Sequence, residues 1–277
     1  MIKIALQLVY PILAVLSFWV IRIDKNLLWL PFFGVLLHLV PGLLSCVNAN
    51  KLYSQPEDRG SYIISAILSN QLILGGISVY ILYGETGFAY VQLAVLLQGL
   101  ILFLGCFPLA QYYKQIKNAD GARTPIAWWS VVFNRNQIAV LGIAAGIILN
   151  KMGVARPASG SSLFDFFVHI NAWMSLIPVG HSIRFGELRV YLKDVWSMSA
   201  IKFIFTPLII AGLAALFISD ICMRRTVLVL AFAPTAVNAV ITVRLHDLNL
   251  PMVMTNFVIT TALYLLIVYP VLFFFLS

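Results

Sequence analysis

Ser69-Asn70-Gln71-Leu72-Ile73-Leu74-Gly75-Gly76-Ile77-Ser78 lies in the middle of one long apolar run, and Ala233-Pro234-Thr235-Ala236-Val237-Asn238-Ala239 lies in the middle of another. Hydrocarbon offers no water to satisfy polar side chains or freed backbone groups, so both stretches are costly inside a membrane helix. Pro234 removes a backbone donor and clashes with the preceding turn, and Gly75-Gly76 loosens the helix it sits in. Single prolines at Pro11, Pro31, Pro41, Pro108, Pro178, Pro207 and Pro270 require no more than a kink. An asparagine close to a breaker, twice over, points instead to helices interrupted at mid-depth.

The surroundings of these stretches set the class. Of 277 residues, 61% are hydrophobic and only 10% are charged, against about a quarter charged in an ordinary soluble domain. A soluble globule of this composition would expose far more apolar surface than water tolerates. Soluble enzymes and nucleic-acid binders are therefore excluded, and the expectation is an all-α polytopic membrane protein. The net charge of +8 reports topology, because Lys and Arg sit in short segments between apolar runs. Cys46, Cys106 and Cys222 are far apart and form no metal or disulfide pattern.

A spanning helix needs about 20 apolar residues, and that ruler gives nine candidates: Ile4 to Ile21, Leu27 to Ala49, Tyr62 to Tyr83, Ala89 to Tyr112, Gln137 to Asn150, Leu163 to Ile183, Trp196 to Ile218, Thr226 to Val243 and Pro251 to Leu276. Ile126 to Phe133, with Trp128 and Trp129, reads as an interfacial helix. Lys3 before an apolar run imitates a signal peptide, but no small-x-small cleavage site comes after it, so the run is kept as the first span.

The side holding the N terminus collects eleven basic residues: Lys3, Lys51, Arg59, Lys114, Lys117, Arg123, Arg135, Arg184, Arg189, Lys193 and Arg244. The other side has six, namely Arg22, Lys25, Lys151, Arg156, Arg224 and Arg225. The positive-inside rule then places the N terminus in the cytoplasm and the C terminus outside. Lys202 falls within the seventh span and is expected to snorkel to its cytoplasmic end.

Position relates the two interrupted spans. If the chain is two copies of a five-helix unit with the first helix of the first copy missing, both interrupted spans are the fourth helix of their unit. Five is odd, so the second copy is inverted. Broken helices in corresponding places of inverted halves are the strongest sequence pointer to a transporter site at the midplane. The division is residues 1–113, a cytoplasmic connector 114–136, and residues 137–277, within a single transmembrane domain.

At these residues the chain resembles the auxin efflux carrier family of permeases, within the superfamily of bile acid, arsenite and auxin transporters. The residues that carry the likeness are Asn70, Gly75 and Tyr83-Gly84-Glu85-Thr86-Gly87 in the first half. In the second they are Pro178, Gly180, Thr206-Pro207, Pro234, Asn238, Thr260, Thr261 and Pro270. Three departures are visible. Ile77 stands where the family has proline, the opening helix is missing, and Asn136-Gln137 replaces an expected Asn-Pro. The resemblance implies a scaffold bundle supporting a bundle of two crossed, unwound helices.

The function this implies is that of a permease moving a small organic anion, a carboxylate, by alternating access, with no cofactor and no catalytic residue. Half-helix N-termini and asparagine amides suit a carboxylate without burying a charge. Asn70 and Asn238 are the expected substrate contacts, with Gly75, Gly76 and Pro234 shaping the unwound segments and Gln71 and Thr235 as secondary contacts. The competing reading of the amides is that they hold helices together. Asp165, with His169 one turn later on the same face, is a candidate proton relay or an interfacial pair. His38 and His181 read as structural, and Gln98 and Asn256 receive no role. No His-Glu-x-x-His or Asp-Asp-x-x-Asp motif occurs, against an intramembrane enzyme. A sodium-coupled symporter of the bile acid type and a non-transporting scaffold or receptor stand as alternatives. The partners expected are the organic anion, membrane lipid, and H+ or Na+, with a homodimer left open and no nucleic acid. The compact chain with short loops is expected in a bacterial inner membrane.

Overall fold

The computed structural model describes residues 8–21, 25–118, 138–181 and 191–276. The expected interfacial helix Ile126 to Phe133, and most of the connector, lie outside the described residues. Among the described residues the fold is all-α, as the composition requires, with no β-strand. The helices are α1 (Tyr10–Val20), α2 (Trp29–Leu52), α3 (Pro56–Ile67), α4 (Gly76–Ala94), α5 (Phe107–Asn118), α6 (Ile138–Lys151), α7 (Gly160–His181), α8 (Leu192–Ala200), α9 (Thr206–Phe217), α10 (Ile221–Ala231), α11 (Val237–Leu245), α12 (Leu250–Leu263) and α13 (Tyr269–Leu276). A single π turn, Ile201–Phe205, joins α8 to α9, and another, Tyr264–Val268, joins α12 to α13.

Among the described residues four helical runs are long and apolar enough to cross a membrane: Lys25–Leu52, Gln71–Lys117, Val195–Phe217 and Leu250–Leu276. The second of these is two limbs, because Gly84 adopts φ 61° and ψ −150° inside α4 and turns the chain back on itself. The limbs touch closely. A Cβ on Gly87 would stand 2.8 Å from Val79 Cγ1, and one on Gly76 would stand 3.6 Å from Val91 Cγ1. Tyr83 ends one limb and Glu85 begins the next, where the apolar pattern separates its third and fourth runs.

Apolar side chains fill the interior and also cover the outer faces. Leu216, Leu266 and Phe274 are about 80% exposed on the outer faces, a cost in water and none in hydrocarbon. Asn171, Asn256, Gln71, Thr235 and Thr260 are buried. Small residues let the helices close on these buried groups, as association in lipid requires. In α6 the Gly142-x-x-x-Gly146 pair leaves room for α1, since added Cβ atoms would meet Pro11 O at 2.5 Å and Val15 O at 2.7 Å. Gly34 of α2 lies just as tightly against the Ala94 carbonyl.

The loops gather at two ends. At one, Lys117 pairs with Glu57 (2.5 Å) and Lys114 with Asp247 (2.7 Å), while Asn249 Nδ2 donates to Asp58 Oδ1 (2.6 Å). At the other, Arg156 pairs with Glu85, Asn150 Nδ2 donates to Trp19 O (2.8 Å), and an Arg225 N–H donates to Leu276 O (3.1 Å).

Candidate functional site

Both marked stretches are interrupted helices, and the interruptions meet. Helix α3 ends at Ile67, Leu68 is extended, and a π turn over Gln71–Gly75 begins the next helical run. Helix α10 ends at Ala231 and α11 starts only after extended Ala236. Between them Ser69 and Thr235 form an antiparallel bridge. Asn70 N donates to Pro234 O (2.7 Å) and Ala236 N to Leu68 O (2.8 Å). Each broken helix thus supplies the backbone partners that the other lacks, which is the condition for non-helical chain inside a bilayer.

The groups around the bridge complete the accounting of helix-end carbonyls. Thr235 Oγ1 donates to Ser65 O (3.1 Å), and Thr235 N donates to Thr260 Oγ1 (3.1 Å), which itself donates to Asn256 O (2.6 Å). Lys202 Nζ donates to Ala66 O (3.0 Å) and Ser69 Oγ (2.8 Å), and Gln98 Nε2 reaches Ser69 O at 3.4 Å. A cation at the carbonyl end of α3 also opposes the negative pole of that helix.

The first break therefore does not lie at the glycine pair. Gly75 (φ −60°, ψ −45°) and Gly76 (φ −62°, ψ −45°) are helical. Their smallness serves packing, a Cβ on Gly75 falling 2.8 Å from Leu230 Cδ2. Unwinding at Leu68–Asn70 needs no proline at Ile77, because Lys202, Thr235 and the strand partner hold the freed groups. Pro234 does sit in the second break, where its missing N–H costs nothing.

Of the expected contacts, Asn70, Gln71 and Thr235 are buried at the crossing, and Asn238 is exposed in the first turn of α11. Asn70 Nδ2 and both amide atoms of Gln71 have no partner among the described residues, and neither does the Asn238 side chain. The Thr235 hydroxyl is already engaged, donating to Ser65 O. Asp165 and His169 lie elsewhere: both are exposed on α7, Tyr80 OH donates to the Asp165 carboxylate, and His169 Nδ1 donates to Asp165 O (2.7 Å). The structure does not bring them to the crossing.

Lys202 is the main correction. Rather than snorkelling, it is 1% exposed with its ammonium inside the crossing. A lone lysine in an apolar run is the available signal, but a basic residue there reads equally as one reaching the interface. Gln98, to which sequence alone gives no role, sits on Ser69. Among the described residues no cluster of His, Cys, Asp or Glu could hold a metal ion. An apolar groove between α9, α10 and α13, lined by Phe203, Pro207, Leu228, Phe232 and Phe275, suits a hydrocarbon chain and not a carboxylate. Comparison with known proteins finds no family model that matches the chain and no curated protein similar to it in sequence.

Proposed function

We propose that this chain is a secondary transporter of the inner membrane that carries a small organic anion, a carboxylate, by alternating access, with its substrate held at the crossing of the two broken helices. The proposal includes nine spans arranged as four plus five in inverted repeats, with the N terminus in the cytoplasm. The observation that carries it is the pairing of Leu68–Asn70 with Pro234–Ala236. An antiparallel meeting of two interrupted helices is what inversion of two like halves produces, and half-helix N-termini at such a meeting suit an anion. The auxin-carrier resemblance of Asn70, Pro234 and Asn238 agrees with this.

Asn238 is favoured as a ligand contact over a helix fastener because its exposed amide makes no bond to another described residue. Purified protein should gain thermal stability from one or more of a panel of organic acids, dicarboxylates, indole acetate and bile acids. A ligand at about 100 times its dissociation constant contributes about 2.7 kcal/mol. Asn238→Ala should abolish the shift and uptake into proteoliposomes while leaving abundance unchanged. Loss of abundance with retained specific uptake would mark Asn238 as structural, and a strict sodium requirement would assign the symporter reading.

A further inference from the structure

Resting on that transport reading, we propose that Lys202 is the counter-ion of the transported carboxylate, the residue that makes the crossing select anions over neutral molecules. An ammonium has three N–H donors. Lys202 uses two, on Ala66 O and Ser69 Oγ. Both acceptors are neutral, and among the described residues no carboxylate pairs with it. A buried cation without an anion is among the most costly arrangements a membrane protein can hold, and it is retained where a ligand supplies the missing charge. Two further buried polar groups without partners lie on the elements around it. Thr206, one turn on along the same face, is 2% exposed with an unpartnered Oγ1. Asn256 is 0% exposed with both amide atoms unpartnered, on the helix α12 that packs against α8. An ammonium with a free hydroxyl on its own helical run and a free amide on the adjoining helix is chemistry for a single carboxylate with a neighbouring hydroxyl or carbonyl oxygen, such as a short hydroxy or keto acid.

The experiment compares acids with their amides. Acetate, lactate, pyruvate, malonate, malate and indole acetate, with the matching carboxamides, are titrated against purified wild-type protein, Lys202→Met and Lys202→Arg, reading melting midpoint and dissociation constant. In wild type an acid should raise the midpoint by about 5 °C near saturation and its amide should not. Lys202→Met should weaken the acid about 30-fold or more and erase the preference for acid over amide, whereas Lys202→Arg should keep the preference. Lowered stability of Lys202→Met is expected from its lost bonds whatever its role, so selectivity is the deciding readout. Equal stabilisation of wild type by an acid and its amide overturns the inference, and needs no variant to fold. Unchanged acid affinity in Lys202→Met also overturns it while leaving the transport reading in place. Stabilisation by no acid overturns both.

Discussion

Asp247 shows how one neighbour sets the state of a residue in this protein. It sits in the loop between α11 and α12 at φ 51°, a left-handed conformation that aspartate tolerates better than most residues. The hydrogen bond and charge of Lys114 hold its carboxyl below the usual carboxylate range. Because the folded value is depressed, the pair's contribution is present above the ordinary value of about 3.9 and is lost as pH falls through the lowered one. Lys114→Met should return Asp247 toward about 3.9, as read by carboxyl-carbon NMR, while solvent screening keeps the stability change small. Residues of the crossing differ in how far sequence discloses them. Pro234 and Asn238 stand out because a proline and an amide one turn apart in an apolar run mark a break more strongly than either does alone. Lys202 does not, since its long stem permits either a surface or a buried ammonium, and only the position of Ala66 O and Ser69 decides between them.

At the scale of the element, helix length and breaks have different causes. Gly84 turns α4 into a hairpin through its own backbone freedom, so the boundary between the third and fourth runs is legible in the sequence. The end of α3 is not, since Ile67-Leu68-Ser69 contains neither glycine nor proline. That helix stops because better partners for Leu68 and Asn70 arrive from residues far along the chain. Packing of α6 on α1 likewise depends on a motif that sequence shows and on a neighbour that it does not. Gly142→Leu should force the two helices apart and cost about 1–3 kcal/mol or more, visible as a lower melting midpoint. The same substitution at Gly212, where an added Cβ meets nothing within 4 Å, should leave stability nearly unchanged.

For the molecule as a whole, the bridge between Ser69 and Thr235 is the one place among the described residues where the two interrupted helices are tied by backbone. Its flanking bonds make Ser69 and Thr235 a non-hydrogen-bonded antiparallel pair, whose Cα atoms lie about 4.5 Å apart, within the reach of a disulfide. In a background lacking Cys46, Cys106 and Cys222, Ser69→Cys with Thr235→Cys should cross-link on mild oxidation, seen as an intramolecular mobility shift that reductant reverses. Either single variant should not. Failure to cross-link would place the two stretches apart in the membrane and remove the crossing on which the proposed site depends.

The sequence by itself determined that this is an all-α protein of the membrane, that its third and fourth runs part near Gly84, and that Pro234 and Asn238 mark an interrupted helix. These rest on composition and local chemistry: apolar length, the φ freedom of glycine, the missing donor of proline. Only the tertiary structure decided that α3 stops at Ile67, that Gly75 and Gly76 pack instead of unwinding, that Asp165 and His169 lie away from the crossing, and that Lys202 is buried within it. Each of those turns on where a freed carbonyl or N–H finds its partner, and the partners here come from the opposite half of the chain, at separations no local pattern records.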